Sequence, residues 1–184
     1  MRWGLIPHWA KASAPGVPER GKPLFNARAE AASTTPAFRD SFTGRRCLIP
    51  MDGWYEWTVS NSGIKIPHYL HRADGQRIYA AGLWSVWNDK LGGKPLLSCT
   101  ILTTDAIADL TEVHDRMPLL LGESDWDNWL DPDRTPAPEV TRRIDPALVE
   151  LIEVRDVSPA VNSVKNNSPE LLEPVKAVEP DTLF

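Results

Sequence analysis

Cysteine is scarce: the 184-residue chain has two, Cys47 and Cys99. Two are too few for a disulfide framework, and their spacing matches no metal-binding pattern. Both fall inside apolar runs and read as small buried hydrophobes, not as thiolate nucleophiles. Nothing Gly-rich resembles a phosphate-cradling loop. The four histidines, His8, His68, His71 and His114, are scattered. A strand would turn His68 and His71 to opposite faces, so the sequence predicts no metal site and no cofactor. Long apolar runs are missing as well, since none approaches the ~18 residues of a membrane-spanning helix. Met1-Arg2 leads into no apolar stretch with a small-residue cleavage site, which argues against a secretory leader. With so few cysteines, a reducing cytoplasm without membrane contact is the expected setting. Repeats and low-complexity segments are absent too.

What is present fits an ordinary folded chain, 42% hydrophobic and 24% charged, long enough for one well-buried core. The formal net charge of −5 is unevenly spread. Residues 1–46 carry eight Lys/Arg against three Asp/Glu (+5), and residues 47–184 carry twelve against twenty-two (−10). Such asymmetry hints at an anion-facing surface on an acidic protein.

Residues 10–23, with three prolines and two glycines, read as a loop. A short helix is expected from Thr34 to Phe42, with Pro36 in its first turn. Strand-like runs follow: "RRCLIP" (45–50), "GWYEWTV" (53–59), "PHYLHRA" (67–73), "RIYAAGLWSVW" (77–87) and "PLLSCTILTT" (95–104). The turn signals between them predict antiparallel hairpins. "TTDAIADLTEVH" (103–114) has helical spacing of Ile107, Leu110 and Val113, with Thr104 or Asp105 as cap. "MPLLL" reads as a strand, "SDWDNWL" as a short helix capped by Ser124, and "LIEVRDV" as a late strand. Runs of strands with a few short helices predict an α+β fold on a barrel-like, curved antiparallel β-sheet. It would be a single domain over 1–174, with 175–184 as a flexible tail.

Three constellations could carry chemistry. In "GWYEW", alternation puts Trp54, Glu56 and Thr58 on one face and Tyr55 and Trp57 on the other. Glu56 is then either a solvated strand glutamate or a desolvated carboxyl suited to general acid work. In "VHDRMP", His114 could shuttle protons, Asp115 orient it and Arg116 clamp an anion. The alternative is a histidine that merely closes a helix end. In "FNARAE", Asn26 and Arg28 share one face and Ala27 and Ala29 the other, which suits a site wall or any tightly packed strand. Most of the eight tryptophans should be core. One or two left exposed beside arginines would make a stacking platform for unpaired bases.

The order of these pieces is more specific than any one of them. "RWGLIPHW", "NARAE", "RRCLIPMDGWYEW", "AAGLW", "ILTT", "HDRMPLLL" and "VSPAVNSVKN" together resemble the SRAP family, the SOS response-associated peptidase or abasic site processing proteins. The resemblance runs from Trp3 to about Pro174. It implies a compact α+β fold around barrel-like antiparallel strands. It also implies a protein that binds single-stranded DNA and crosslinks covalently to abasic sites through an N-terminal cysteine, whose amine and thiol close a thiazolidine ring. The family's asparagine falls on Asn26, its glutamate on Glu56 and its histidine on His114, as catalytic groups. Its phosphate-holding arginines fall on Arg28 and Arg116, and tryptophans lining the bound strand on Trp9 and Trp57. The peptidase of the family name is read as removal of the protein's own initiator methionine.

One departure stands out. Family members begin Met-Cys-Gly-Arg, whereas this chain begins Met-Arg-Trp. The sequence therefore reads as an N-terminally truncated member that keeps Met1, lacks the nucleophile and leaves a sheet edge uncovered. The expected partner is single-stranded DNA with abasic sites, bound by a monomer. The alternative is a module that binds single-stranded or modified DNA without chemistry. The final "EPDTLF" resembles a sliding-clamp peptide lacking its glutamine, so clamp binding through the tail is a further expectation.

Overall fold

"GWYEWTVSNSGIKIPHYLHR" alternates aromatic and polar residues on either side of a turn sequence, and it folds accordingly. Strand β6 (Gly53–Val59) pairs antiparallel with β7 (Lys65–Arg72), in register from Gly53↔His71 to Val59↔Lys65. The turn closes through a Ser60 N–H to Ile64 carbonyl bond of 2.9 Å, and Gly63 takes the positive φ of +81° that side chains disfavour. Strand β11 (Ile152–Asp156) adds antiparallel to β7, completing a three-stranded sheet. The computed structural model describes residues 1–19, 21–134, 141 and 144–175.

A second sheet is organised on β9 (Leu96–Asp105). On one edge β9 takes β8 (Ile78–Trp87) and, further along, β10 (Arg116–Pro118), both antiparallel. Strand β5 (Arg46–Met51) pairs antiparallel with β8. The opposite edge of β9 takes β1 (Arg2–Trp3) and then β4 (Asn26–Arg28), and both are parallel to it. The sheet is antiparallel through β5, β8, β9 and β10, as expected, and mixed where β1 and β4 join. The parallel pairs follow from connectivity: β1 and β4 run in the direction of β9 and reach it from a distant part of the chain, not through a hairpin turn.

The two faces of this sheet have different partners. One packs Ala27, Leu83 and Leu102 against α1 (Ala29–Ala32), α2 (Arg39–Gly44) and α3 (Glu123–Leu130), through Ala32, Phe42 and Trp129. The other turns Ile78, Ala80 and Ile101 toward Leu70 of the three-stranded sheet, with Met117, Leu120 and Val149 of α4 (Pro146–Glu150) completing that layer. Fully burying a side chain of this size contributes about 1.5–3 kcal/mol. Together the two sheets form a curled half-barrel. The outer face of the small sheet is covered by residues 159–174, where Tyr55 and Arg155 bond to the Leu171 and Leu172 carbonyls.

Several local expectations are corrected. The helix expected over 34–42 spans Arg39–Gly44, because the Thr34 and Thr35 N–H groups and hydroxyls all return to the Ala31 carbonyl and close α1 first. The helix expected over 103–114 is a strand through Asp105, drawn out by pairing with β10, and then a single 3-10 turn over Ala108–Glu112. Gly122, not Ser124, stands at the N-cap of α3. Of "MPLLL", only Met117 and Pro118 lie in the strand, with Leu120 bridging singly to Ala80. The loop read at 10–23 contains a small hairpin, β2 (Ala12–Ala14) with β3 (Val17–Pro18). The Asp89 carboxylate ties it down by accepting the Gly16 N–H. Residues 176–184, which hold the clamp-like ending, lie outside the described residues. No helix among the described residues is long and apolar enough to cross a membrane.

Candidate active site

Alternation along β4 places Ala27 in the core at 1% exposure and leaves Asn26 and Arg28 pointing away from it. Alternation along β6 turns Trp54 and Glu56 toward the large sheet. A cavity of about 660 Å³ opens between the sheets and gathers Asn26, Arg28, Glu56, His114 and Arg116 on its walls. Five of the seven residues singled out from sequence therefore meet in one place. The floor is apolar, formed by Ile49, Met51, Ile101 and Met117.

Glu56 is half-buried, and its carboxyl is raised above the ordinary glutamate range chiefly by burial. His114 opposes that shift, Asp115 adds to it, and a contact with Trp54 favours the ionised form. A carboxyl held in this way can give or take a proton nearer neutral pH than an exposed one. His114 follows the 3-10 turn, and its Nδ1 lies 2.9 Å from the Arg116 N–H and 3.1 Å from Asp115 Oδ1. The Arg116 carbonyl lies 3.0 Å from the same nitrogen, so Nδ1 faces one donor and two acceptors, and its role follows the tautomer.

The two arginines differ. Arg116 is locked in place: it bonds both oxygens of Glu30 at 2.9 and 3.0 Å, Asp105 at 2.5 Å and the Thr103 carbonyl at 2.6 Å. These partners outweigh the burial that disfavours its charge and raise its pKa, and Arg116 in turn lowers that of Glu30. The Arg28 side chain makes no hydrogen bond or ion pair among the described residues; it lines the cavity, and its charge helps to lower the Glu30 carboxyl.

Trp9 lies beside this cavity, not in it. At 57% exposure, it lines a second, more apolar hollow of about 710 Å³ together with Phe25, Arg2, Lys11 and Lys22. Trp3 borders both cavities. Trp57 is not brought into either, because it leaves β6 on the face opposite Glu56, where its Nε1–H bonds Asn162 Oδ1 at 2.8 Å. Sequence reasoning missed Trp3, Trp54, Glu30 and Asp105. For Trp54, the shared face with Glu56 was signal enough; for Glu30 and Asp105 no local signal exists, since both act through Arg116 from elements distant in sequence, α1 and β9.

The thiols stand apart from this chemistry. Burial pushes the Cys47 thiol up to about 12, with neighbouring Cys99 adding to the shift, and burial raises Cys99 as well. Among the described residues, no group of three or more His, Cys, Asp or Glu side chains could hold a metal ion.

Comparison with known proteins places the chain in a family. Residues 1–164 match the family model described as SOS response associated peptidase (SRAP). The chain is 39% identical over 173 residues to the abasic site processing protein YoqW of Bacillus subtilis, covering 94% of this chain and 75% of that one. It is 34% identical over 196 residues to the abasic site processing protein HMCES of Gallus gallus, of which it spans 57%. An X-ray structure of a Bacteroides thetaiotaomicron protein superposes with a TM-score of 0.75 at 26% identity, over 94% of this chain and 75% of that one. The mixed, curled sheet, the cavity between its two halves and these matches together make the chain a member of the SRAP family.

Proposed function

We propose that this protein engages single-stranded DNA at abasic sites and that the cavity between the sheets receives the opened sugar. The observation that carries the reading is the meeting of Asn26, Arg28, Glu56 and His114 around one cavity, continuous through Trp3 with a basic, aromatic hollow. An aldehyde needs an amide to orient it, an acid or base to move protons during imine formation and a cation for the flanking phosphate. Asn26, Glu56, His114 and Arg28 supply these. Arg116, held by Glu30 and Asp105, braces the wall. The exposed rings of Trp3, Trp9 and Phe25 offer π-faces on which any base can stack. Trp57, on the far face of β6, is left off this path.

The covalent chemistry implied by the family needs an amine and a thiol on one N-terminal cysteine. Neither Cys47 nor Cys99 can serve, since each lies within a strand and its nitrogen is a peptide amide, not a free amine. The alternative reading is a module that holds single-stranded or modified DNA without bonding to it.

Fluorescence anisotropy with single-stranded oligonucleotides, with and without a stable abasic analogue, tests the first reading. Preferential binding of the abasic strand is expected. Arg28→Glu should weaken binding at least about tenfold and flatten its salt dependence by roughly one phosphate contact. Binding that ignores the abasic position, or is unchanged in Arg28→Glu, would overturn it. A heat-stable adduct with an aldehydic abasic strand would reject the non-covalent reading.

A further inference from the structure

Trp54 has no part in the chemistry proposed above, yet its placement asks for one. It stands two residues before Glu56 on β6, so both side chains leave the same face, and both border the cavity. Its indole Nε1 is buried and makes no well-formed hydrogen bond. A buried donor without an acceptor is destabilising, and an aromatic ring lacking the N–H would fill the same space without that penalty.

The Glu56 carboxyl is the acceptor within reach, and contact with Trp54 favours its ionised form. Besides burial, the groups that act on Glu56 are Trp54, His114 and Asp115. His114 and Asp115, from the segment before β10, act on it in opposite directions. Arg116 spends both terminal nitrogens on Glu30, Asp105 and Thr103 and keeps a buried Nε–H without a partner, and Arg28 reaches the cavity from β4, but neither arginine is among the causes of the Glu56 shift. His68 is the cross-strand neighbour of Glu56 on β7, but its ring is committed at 2.7 Å to Thr58 Oγ1 and at 2.7 Å to Asp156 Oδ1.

We propose that Trp54 is a positioning residue for Glu56: when the carboxyl ionises, the indole N–H closes onto it and holds it aimed into the cavity as a base. The inference rests on the reading of Glu56 as the proton-transfer group. The contact is loose while Glu56 is neutral and tightens as charge develops, because a hydrogen bond to a carboxylate is stronger than one to a neutral acid.

The test is a carbon-13 titration of the Glu56 carboxyl in the wild-type chain and in Trp54→Phe, with thermal melting to confirm that both are folded. The midpoint is expected to shift upward in Trp54→Phe, since the ionised form loses its donor. An unchanged or lower midpoint would overturn the proposal. A second measurement needs no change at Trp54: its indole proton–nitrogen resonance should move with pH at the Glu56 midpoint and stop moving in Glu56→Gln. A resonance indifferent to that titration would equally refute the pairing. Neither experiment contains DNA, so a negative result here is distinct from failure of the DNA reading, which anisotropy reports.

Discussion

Replacing Arg46 with methionine should be among the most damaging single changes outside the cavity. Arg46 is 6% exposed, at the start of β5, and donates to five backbone carbonyls. Phe42 and Thr43, at 2.7 and 2.6 Å, belong to the last turn of α2. Trp129 at 2.6 Å closes α3, and Asp131 and Arg134 (the latter at 2.7 Å) belong to the chain leaving it. The guanidinium also lies 5.7 Å from the Trp129 ring centroid. One cation thus satisfies carbonyls at two helix C-termini, where positive charge is favoured. Methionine keeps most of the volume and strands the acceptors. Each lost partner costs about 1–3 kcal/mol, but the losses are not additive and water can reach the outer carbonyls. Breaking a buried charged network in one step typically costs about 3–5 kcal/mol, and the middle of that range is expected here. For a chain of this size it corresponds to a fall in melting temperature of roughly 8–16 °C. Urea unfolding followed by circular dichroism gives the free energy directly. Arg46→Lys should recover part of the loss, since one ammonium can reach only some of the carbonyls. If Arg46→Met costs less than about 1 kcal/mol, the carbonyl cluster does not depend on this residue and the reasoning fails.

Three other outcomes follow from the same structure. A glutamate whose folded pKa is raised loses stability as pH rises through the interval between its ordinary and its raised value. Glu56→Gln should therefore be more stable than wild type at pH 7, with the difference vanishing well below the usual carboxylate range; equal urea midpoints at both pH values would contradict this. Gly53→Ala should destabilise by about 2 kcal/mol or more, because a methyl there overlaps the Leu70 carbonyl and stands 2.5 Å from Tyr69 Cζ; a melting curve tests it. Cys47, its thiol held at about 12, should react with a disulfide reagent at pH 8 far more slowly in the native protein than in urea; comparable rates would show that burial does not protect it.

The β6–β7 hairpin was legible because its two faces and its turn are written in contiguous residues, and so Glu56 could be assigned a face in advance. Asn26 and Arg28 were legible for the same reason, since Ala27 between them has to face the core. The parallel seating of β1 and β4 on β9 was not, because nothing local specifies which distant strand a three-residue segment will join. The stretch after Thr104 has helical spacing, yet pairing with β10 claims its first residues, and what remains is too short for more than one turn. Arg46 shows a signal overlooked: it shares the strand face of Leu48, which packs in the core, and alternation alone would have turned it inward. Trp57 shows the reverse, since alternation already set it opposite Glu56, and the fold keeps it there.

The cavity takes Asn26 from one sheet and Glu56 from the other, and no hydrogen-bond ladder spans the gap between them. The opening is set instead by the layer of Leu70, Ile78, Ile101 and Met117 beneath it, which acts as a spacer between two jaws. Trimming one of these side chains would leave both sheets paired and alter the reach between amide and carboxyl. In this fold, a substitution in the hydrophobic interior is also a change in the bite of the candidate site.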